Sequence, residues 1–175
     1  IFVLMATCAA LFSCSQQNDV PLIPAESFQT SVDGKDVSLY TLKNGSLTMQ
    51  VTNFGARVVS LWVPDRKGDM EDIVLGYNNI NDYINNPGER FLGAVVGPYA
   101  NRIANGTYTI GEETYNFPQN NNGQTLHGGL KGLDMVVWDV FAADDSTLVL
   151  TYTHADGQEG MPGNLEIFMT YALTS

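Results

Sequence analysis

"LTMQVTNFGARVVSLWV", residues 47–63, is the stretch that decides the fold. Apolar side chains fall on every second position at Leu47, Met49 and Val51, and again at Val59, Leu61 and Val63 beyond the stretch "TNFGA" at 52–56. Successive side chains of a strand point to opposite faces, whereas a helix needs a spacing near 3.6, so this alternation predicts two half-buried strands joined by a loop. The same period returns at Val37 and Leu39 and at Leu148, Leu150 and Tyr152. Further strands are expected at 73–77, 91–96, 107–117, 136–143 and 165–173, where β-branched and aromatic residues are frequent. Within them, "TYTIGEETYNF" reads as a hairpin turning at Gly111. Only "NINDYIN" at 79–85 places apolar residues (Ile80, Tyr83, Ile84) at helical spacing. With no sustained helical period, no internal repeat and frequent turn signals, the expected class is all-β, a sandwich or barrel.

The 175 residues, 44% apolar and 15% charged, suffice for one domain with a true core. Eight basic against nineteen acidic side chains give a formal charge of −11, which repels phosphate backbones and anionic membrane surfaces. Nucleic acid is therefore excluded as an expected partner.

Both cysteines, Cys8 and Cys14, lie in "IFVLMATCAALFSC" at residues 1–14, so the body of the chain has neither a disulfide nor a thiolate metal site. That segment is apolar but too short to span a bilayer, and the polar "SQQND" follows it. It reads as the remnant of a secretory signal. Leu11-Phe12-Ser13-Cys14 resembles a bacterial lipobox, with Cys14 as the lipidated residue and the anchor as the only membrane contact. Ser15 after it resembles the pattern sent to the outer membrane, so the expected location is the Gram-negative cell envelope, periplasm or outer membrane. No Met and no basic region precede Ile1, and the chain is expected to be cut at its front. Residues 15–35, with two prolines and little periodicity, read as a linker, and the domain is expected over 36–175.

The loops of a rigid sheet are the places to look for chemistry. Those at 52–56, 97–106, 118–132 and 154–164 are rich in Gly and Asn, which tolerate positive φ, and Asn adds a donor and an acceptor. This suits a polyhydroxylated ligand. Arg102 stands in "GPYANRIANG" at 97–106 and offers five donors in a fixed fork, able to grip neighbouring hydroxyls; an ordinary ion pair is its alternative. His127 precedes Gly128-Gly129, where bare backbone leaves the ring open to a ligand or to proton transfer. His154, at the end of an alternating run and ahead of the turn "ADG", is expected at the surface. Trp62, Trp138 and the tyrosines are expected mostly in the core, with an occasional sugar-stacking face. Two separated histidines without cysteine partners and scattered carboxylates make no metal ligand set. Phosphate loops and nucleophile elbows are also missing.

Taken together, "NFGARVVSLWVPDRKGDMEDIVLGY" (53–77), "GAVVGPYANRIANGTYTI" (93–110), "NNNGQTLHGGLKGLDMVVWDV" (120–140) and "DGQEGMPGNL" (156–165) resemble, in order and spacing, the aldose 1-epimerases, or galactose mutarotases. The resemblance runs from about Val37 to Ser175. It implies a large antiparallel β-sandwich, incomplete here, and interconversion of the α and β anomers of free aldoses such as galactose and glucose. It also implies a glutamate base at the C1 hydroxyl, a histidine acid at the ring oxygen, and neither metal nor organic cofactor. By the same resemblance Asn101 and Arg102 bind the sugar and His127 assists near the ring oxygen. Pro98 stands where the family usually has arginine. The family's acid histidine, sugar-binding aspartate and base glutamate belong to motifs expected beyond Ser175. The chain is therefore expected to be the N-terminal half of a mutarotase, inactive alone. The alternative is a lipoprotein that binds carbohydrate without turning it over.

Overall fold

The computed structural model describes residues 20–86 and 89–174. The expected signal segment with Cys14 and the start of the linker lie outside the described residues. Thirteen strands follow in chain order: β1 (Thr30–Val32), β2 (Lys35–Val37), β3 (Leu39–Asn44), β4 (Leu47–Thr52), β5 (Arg57–Pro64), β6 (Met70–Asp72), β7 (Arg102–Ile103), β8 (Thr107–Ile110), β9 (Glu113–Asn116), β10 (Thr125–Leu126), β11 (Asp139–Ala143), β12 (Thr147–His154) and β13 (Leu165–Ala172). One short helix, α1 (Ile80–Asn85), lies between β6 and β7, its first turn capped by the Asn79 side chain accepting from the Asp82 N–H.

Two antiparallel sheets build the body, one of order β3-β4-β5-β6 and one of order β11-β12-β13. Leu42, Met49 and Val51 from the first meet Leu148 and Leu150 from the second, and Ala56 just before β5, Trp138 just before β11, Leu133, Val136 and Leu173 complete this core. The fold is thus an antiparallel β-sandwich, one of the two all-β forms the alternation allows and the one the resemblance implies. Hydrogen bonds from Asn44 Nδ2 to the Leu173 carbonyl (2.6 Å) and from Tyr171 Oη to the Ala56 carbonyl (2.6 Å) tie the sheets together.

The alternation in β5 is broken by a bulge. Gln50 pairs with Ser60 but Val51 with Val58, so one residue, Val59, has no partner of its own on β4. Val58 and Leu61 consequently face the sandwich core while Val59 turns to the opposite side, against Phe54, Ile80 and Tyr83. Strict alternation would have put Val59 and Leu61 on one face.

Residues 25–35, expected in a linker, pack on that opposite side. Phe28 is fully buried there, and β1 pairs with β2. The Gln50 amide clamps Ile23, accepting from its N–H at 3.0 Å and donating to its carbonyl at 2.9 Å. Single apolar anchors spaced too widely to form a period hold this segment, which is why the periodicity does not reveal it. Two expected strands are absent: 91–96 is irregular because Gly93 has φ 64°, and 73–77 leaves the sheet after Asp72. Asp72 ends the strand by accepting both the Leu61 and Val74 N–H groups on its Oδ1, at 2.9 and 3.0 Å. The hairpin at Gly111 forms as expected, and the helical stretch expected over 79–85 forms as Ile80–Asn85, with Asn79 as its cap.

Candidate active site

Loops 97–106, 118–132 and 154–164 meet over a small apolar cluster of Ile103, Phe117 and Met161, one residue from each of three separate segments. Tyr108 stacks on Phe117 at 4.8 Å between centroids and extends this base. On it lies the two-residue ladder of β7 and β10, in which Arg102 opposes Leu126 and Ile103 opposes Thr125. The next step of the register brings Asn101 opposite His127. The Asn101 N–H donates to His127 Nδ1 at 2.9 Å, and the His127 N–H donates to the Asn101 carbonyl at 3.0 Å. Residues 26 positions apart in sequence thereby form one reciprocal pair.

Both have left-handed backbone, Asn101 at φ 67° and His127 at φ 52°. Asn and His tolerate that region better than most residues, but outside glycine it stores strain and occurs where the surroundings impose it. Gly128 follows with φ 92°, and a Cβ on it would collide with the Gly97 carbonyl. Because Nδ1 accepts, a neutral His127 ring carries its hydrogen on Nε2 and presents a donor on its other edge.

Arg102 is exposed. Its Nε donates to Asn121 Oδ1 at 3.1 Å and its Nη1 to Asn101 Oδ1 at 3.3 Å, and among the described residues it forms no ion pair. Two neutral asparagine oxygens hold the fork in place without neutralising it, so the remaining N–H groups are available to a ligand's oxygens. The ion-pair alternative does not describe this arginine. Tyr99, two residues before Asn101, is 51% exposed.

A second tier of charges was not singled out by the sequence reading. Asp134 is fully buried and accepts both arms of Arg90, Nε at 2.7 Å and Nη2 at 2.9 Å. Arg90 lies 4.7 Å above the Phe91 ring, and Phe91 meets the His127 ring edge-on at 4.8 Å. Arg57, also fully buried, donates to the Leu92 carbonyl (2.9 Å) and the Asp134 carbonyl (2.8 Å) and covers the rings of Tyr83 and Phe54. Burial pushes its guanidinium down to about 10, against the pull of Asp134. Asn120 fastens the turn before His127, accepting from the Leu126 N–H (2.6 Å) and donating to the Leu126 and Gly129 carbonyls (2.9 and 2.7 Å). Glu159 accepts the Leu130 N–H at 2.7 Å. The one signal in the sequence for Arg57 is its phase, in step with Val59; for Arg90, Asp134 and Glu159 there is none.

His154 does not lie at the surface. It is fully buried at the end of β12, in phase with Leu148 and Leu150, and neither ring nitrogen has a hydrogen-bond partner among the described residues. Burial pushes its pKa below the usual 6.5, opposed by the charge of Glu159. Trp138 is core, with its indole N–H donating to the Leu133 carbonyl at 3.1 Å. Among the described residues no group of three or more His, Cys, Asp or Glu side chains is placed to hold a metal ion.

The family model described as aldose 1-epimerase matches residues 38–175. A probable aldose 1-epimerase of Arthroderma benhamiae is 39% identical over 143 residues, which are 79% of this chain and 32% of the relative. The galactose mutarotase of Mus musculus is 36% identical over 140 residues, 80% of this chain and 40% of the relative. Among solved structures, an aldose epimerase homologue from C. elegans superposes with a TM-score of 0.74 at 30% identity, covering 78% of this chain and 42% of that one. The chain thus spans about a third to two fifths of the length of these proteins.

Proposed function

The chain belongs to the aldose 1-epimerase family, and from that premise we propose that its residues supply the sugar-binding side of a site that interconverts the anomers of free aldoses, galactose and glucose among them. The observation that carries this is the locked arrangement of Asn101, Arg102 and His127. Arg102 presents a charged fork suited to adjacent hydroxyls, and His127 offers Nε2–H to an oxygen gaining negative charge as the sugar ring opens. Stabilising developing charge with pre-aimed donors is how such a site accelerates ring opening. General acid–base help from the proton-transferring histidine and glutamate contributes about 10²- to 10⁴-fold for each group. By the family resemblance, those two groups belong to motifs expected beyond Ser175. The division of labour follows: this chain binds the aldose, and anomer exchange requires a polypeptide of family length. The apolar segment and Cys14, read as an export and lipidation signal, would place that protein at the cell envelope.

Polarimetry of freshly dissolved α-D-galactose tests this. A family-length protein carrying this sequence should speed the approach to equilibrium, its Arg102→Ala variant should lose most of that, and the 175-residue chain should match buffer while still binding galactose. Acceleration by the 175-residue chain would overturn the division of labour. A folded family-length protein that binds galactose without acceleration would establish a carbohydrate-binding protein instead.

A further inference from the structure

The backbone of Leu130, three residues after His127, is held at its N–H and at its carbonyl by side chains of opposite charge. Glu159, from the loop 154–164, accepts its N–H at 2.7 Å, and Arg90, from the segment 89–92, donates Nη1 to its carbonyl at 3.2 Å. Neither side chain belongs to the loop it grips. Glu159 reaches this place only by adopting left-handed backbone at φ 49° between two glycines of φ 79° and 77°, a conformation that the fold must impose. Its carboxylate lies so close to Gly129 that a Cβ there would collide with Oε2. Arg90 is fixed in turn by the bidentate bond to buried Asp134 and rests on Phe91, which touches His127.

We propose that Arg90 and Glu159 are positioning residues for His127: by clamping the backbone N–H and carbonyl of Leu130, they hold the His127 loop in the strained geometry in which Nδ1 accepts from Asn101 and Nε2–H is left for the ligand. This rests on the reading of His127 as a sugar-site residue. The clamp explains why one segment with no ligand-binding side chain of its own, "DGQEGMPGNL", belongs to the same constellation. Two of its glycines free the backbone for Glu159, and Met161 anchors the segment in the cluster under the site.

The test uses the nitrogen spectra of the two imidazoles, with His127→Asn assigning the pair, alongside galactose titration of the same samples. In the unaltered chain His127 should show a single Nε2–H tautomer. Glu159→Ala, which removes the acceptor, and Glu159→Asp, which keeps the charge but shortens the arm, should both bring the two His127 nitrogen shifts together. Both should also weaken galactose binding roughly tenfold, the scale of one well-placed charge-assisted hydrogen bond. Glu159→Gln, which still offers an oxygen to the Leu130 N–H, should restore the single tautomer and most of the affinity. Arg90→Lys should behave like Glu159→Asp, since a point charge cannot serve Asp134 and Leu130 with one fork. If Glu159→Ala does not fold, Glu159→Asp decides the matter. An unchanged His127 tautomer in folded Glu159→Asp overturns the clamp even where galactose binds. Tautomer loss in a chain that never binds galactose supports the clamp and overturns the sugar-site reading alone.

Discussion

Arg102 and Asp134 show how differently two charges of one site depend on their surroundings. Arg102 stands in solvent on neutral oxygens, so its removal leaves nothing buried and unpaired. Arg102→Ala should therefore keep the fold and lower galactose affinity by roughly tenfold or more, because a hydrogen bond to a charged donor contributes about 1.5–3 kcal/mol; isothermal titration against the unaltered chain measures it. Asp134 is sealed between Arg57 and Arg90, with no exposed surface of its own. Asp134→Ala removes both acceptors of Arg90 and the only carboxylate facing wholly buried Arg57 among the described residues, which keeps its bonds to the Leu92 and Asp134 carbonyls. Breaking a buried pair in this way costs about 3–5 kcal/mol. The urea midpoint of Asp134→Ala should fall accordingly, and a midpoint within experimental error of the parent's would show that the pair is not what holds 89–92 against 130–134.

At the scale of elements, β12 carries a built-in sensitivity to acid. Its inward phase begins at Leu148 and Leu150 and ends at His154, which fills an apolar position with an imidazole that has no hydrogen-bond partner among the described residues. Burial lowers the folded-state pKa of this base below 6.5, with Glu159 opposing. As pH falls through 6.5 the unfolded chain takes up a proton that the folded chain still refuses, so stability declines with acid across the window just below 6.5. Thermal melting between pH 7.5 and 5 should record that decline, and His154→Leu should flatten this part of it. The turn after β10 makes a second point at this scale. Gly128→Ala requires a Cβ where the Gly97 carbonyl stands and a backbone at φ 92°. It should unseat His127 and abolish the Asn101–His127 amide protection in hydrogen exchange, even if the two sheets stay intact.

Across the whole molecule, the sandwich leaves one sheet poorly covered. Every residue of β11 is exposed, Phe141 and Phe168 meet edge-on at 5.8 Å on the open face, and among the described residues β13 pairs only with β12. A strand with an unpaired side next to exposed aromatics is a template for self-association. The formal charge of −11 opposes this by repulsion between copies, and salt screens that repulsion. Sedimentation velocity on the 175-residue chain should show association that grows with protein and salt concentration, and the double variant Phe141→Ser/Phe168→Ser should stay at the 19.1 kDa of the monomer. Salt-independent behaviour would remove charge repulsion from this account.

By itself the sequence determined the class of fold, the positions of most long strands, the hairpin at Gly111, the helix at 80–85, and the pair of loops carrying Arg102 and His127. Each depends on signals local to a few residues: a period of two, a Gly-rich turn, a recognisable motif. Only the tertiary structure decided that Val59 turns away from Leu61, that residues 25–35 belong to the body, that His154 is core, and that Arg57, Arg90, Asp134 and Glu159 stand behind the site. These depend on which distant segments meet: Asp134 and Arg90 are separated by 44 positions, Glu159 and Leu130 by 29. A charged side chain carries no mark of its partner in its own neighbourhood, because what makes burial tolerable is an opposite charge or a carbonyl supplied across the fold.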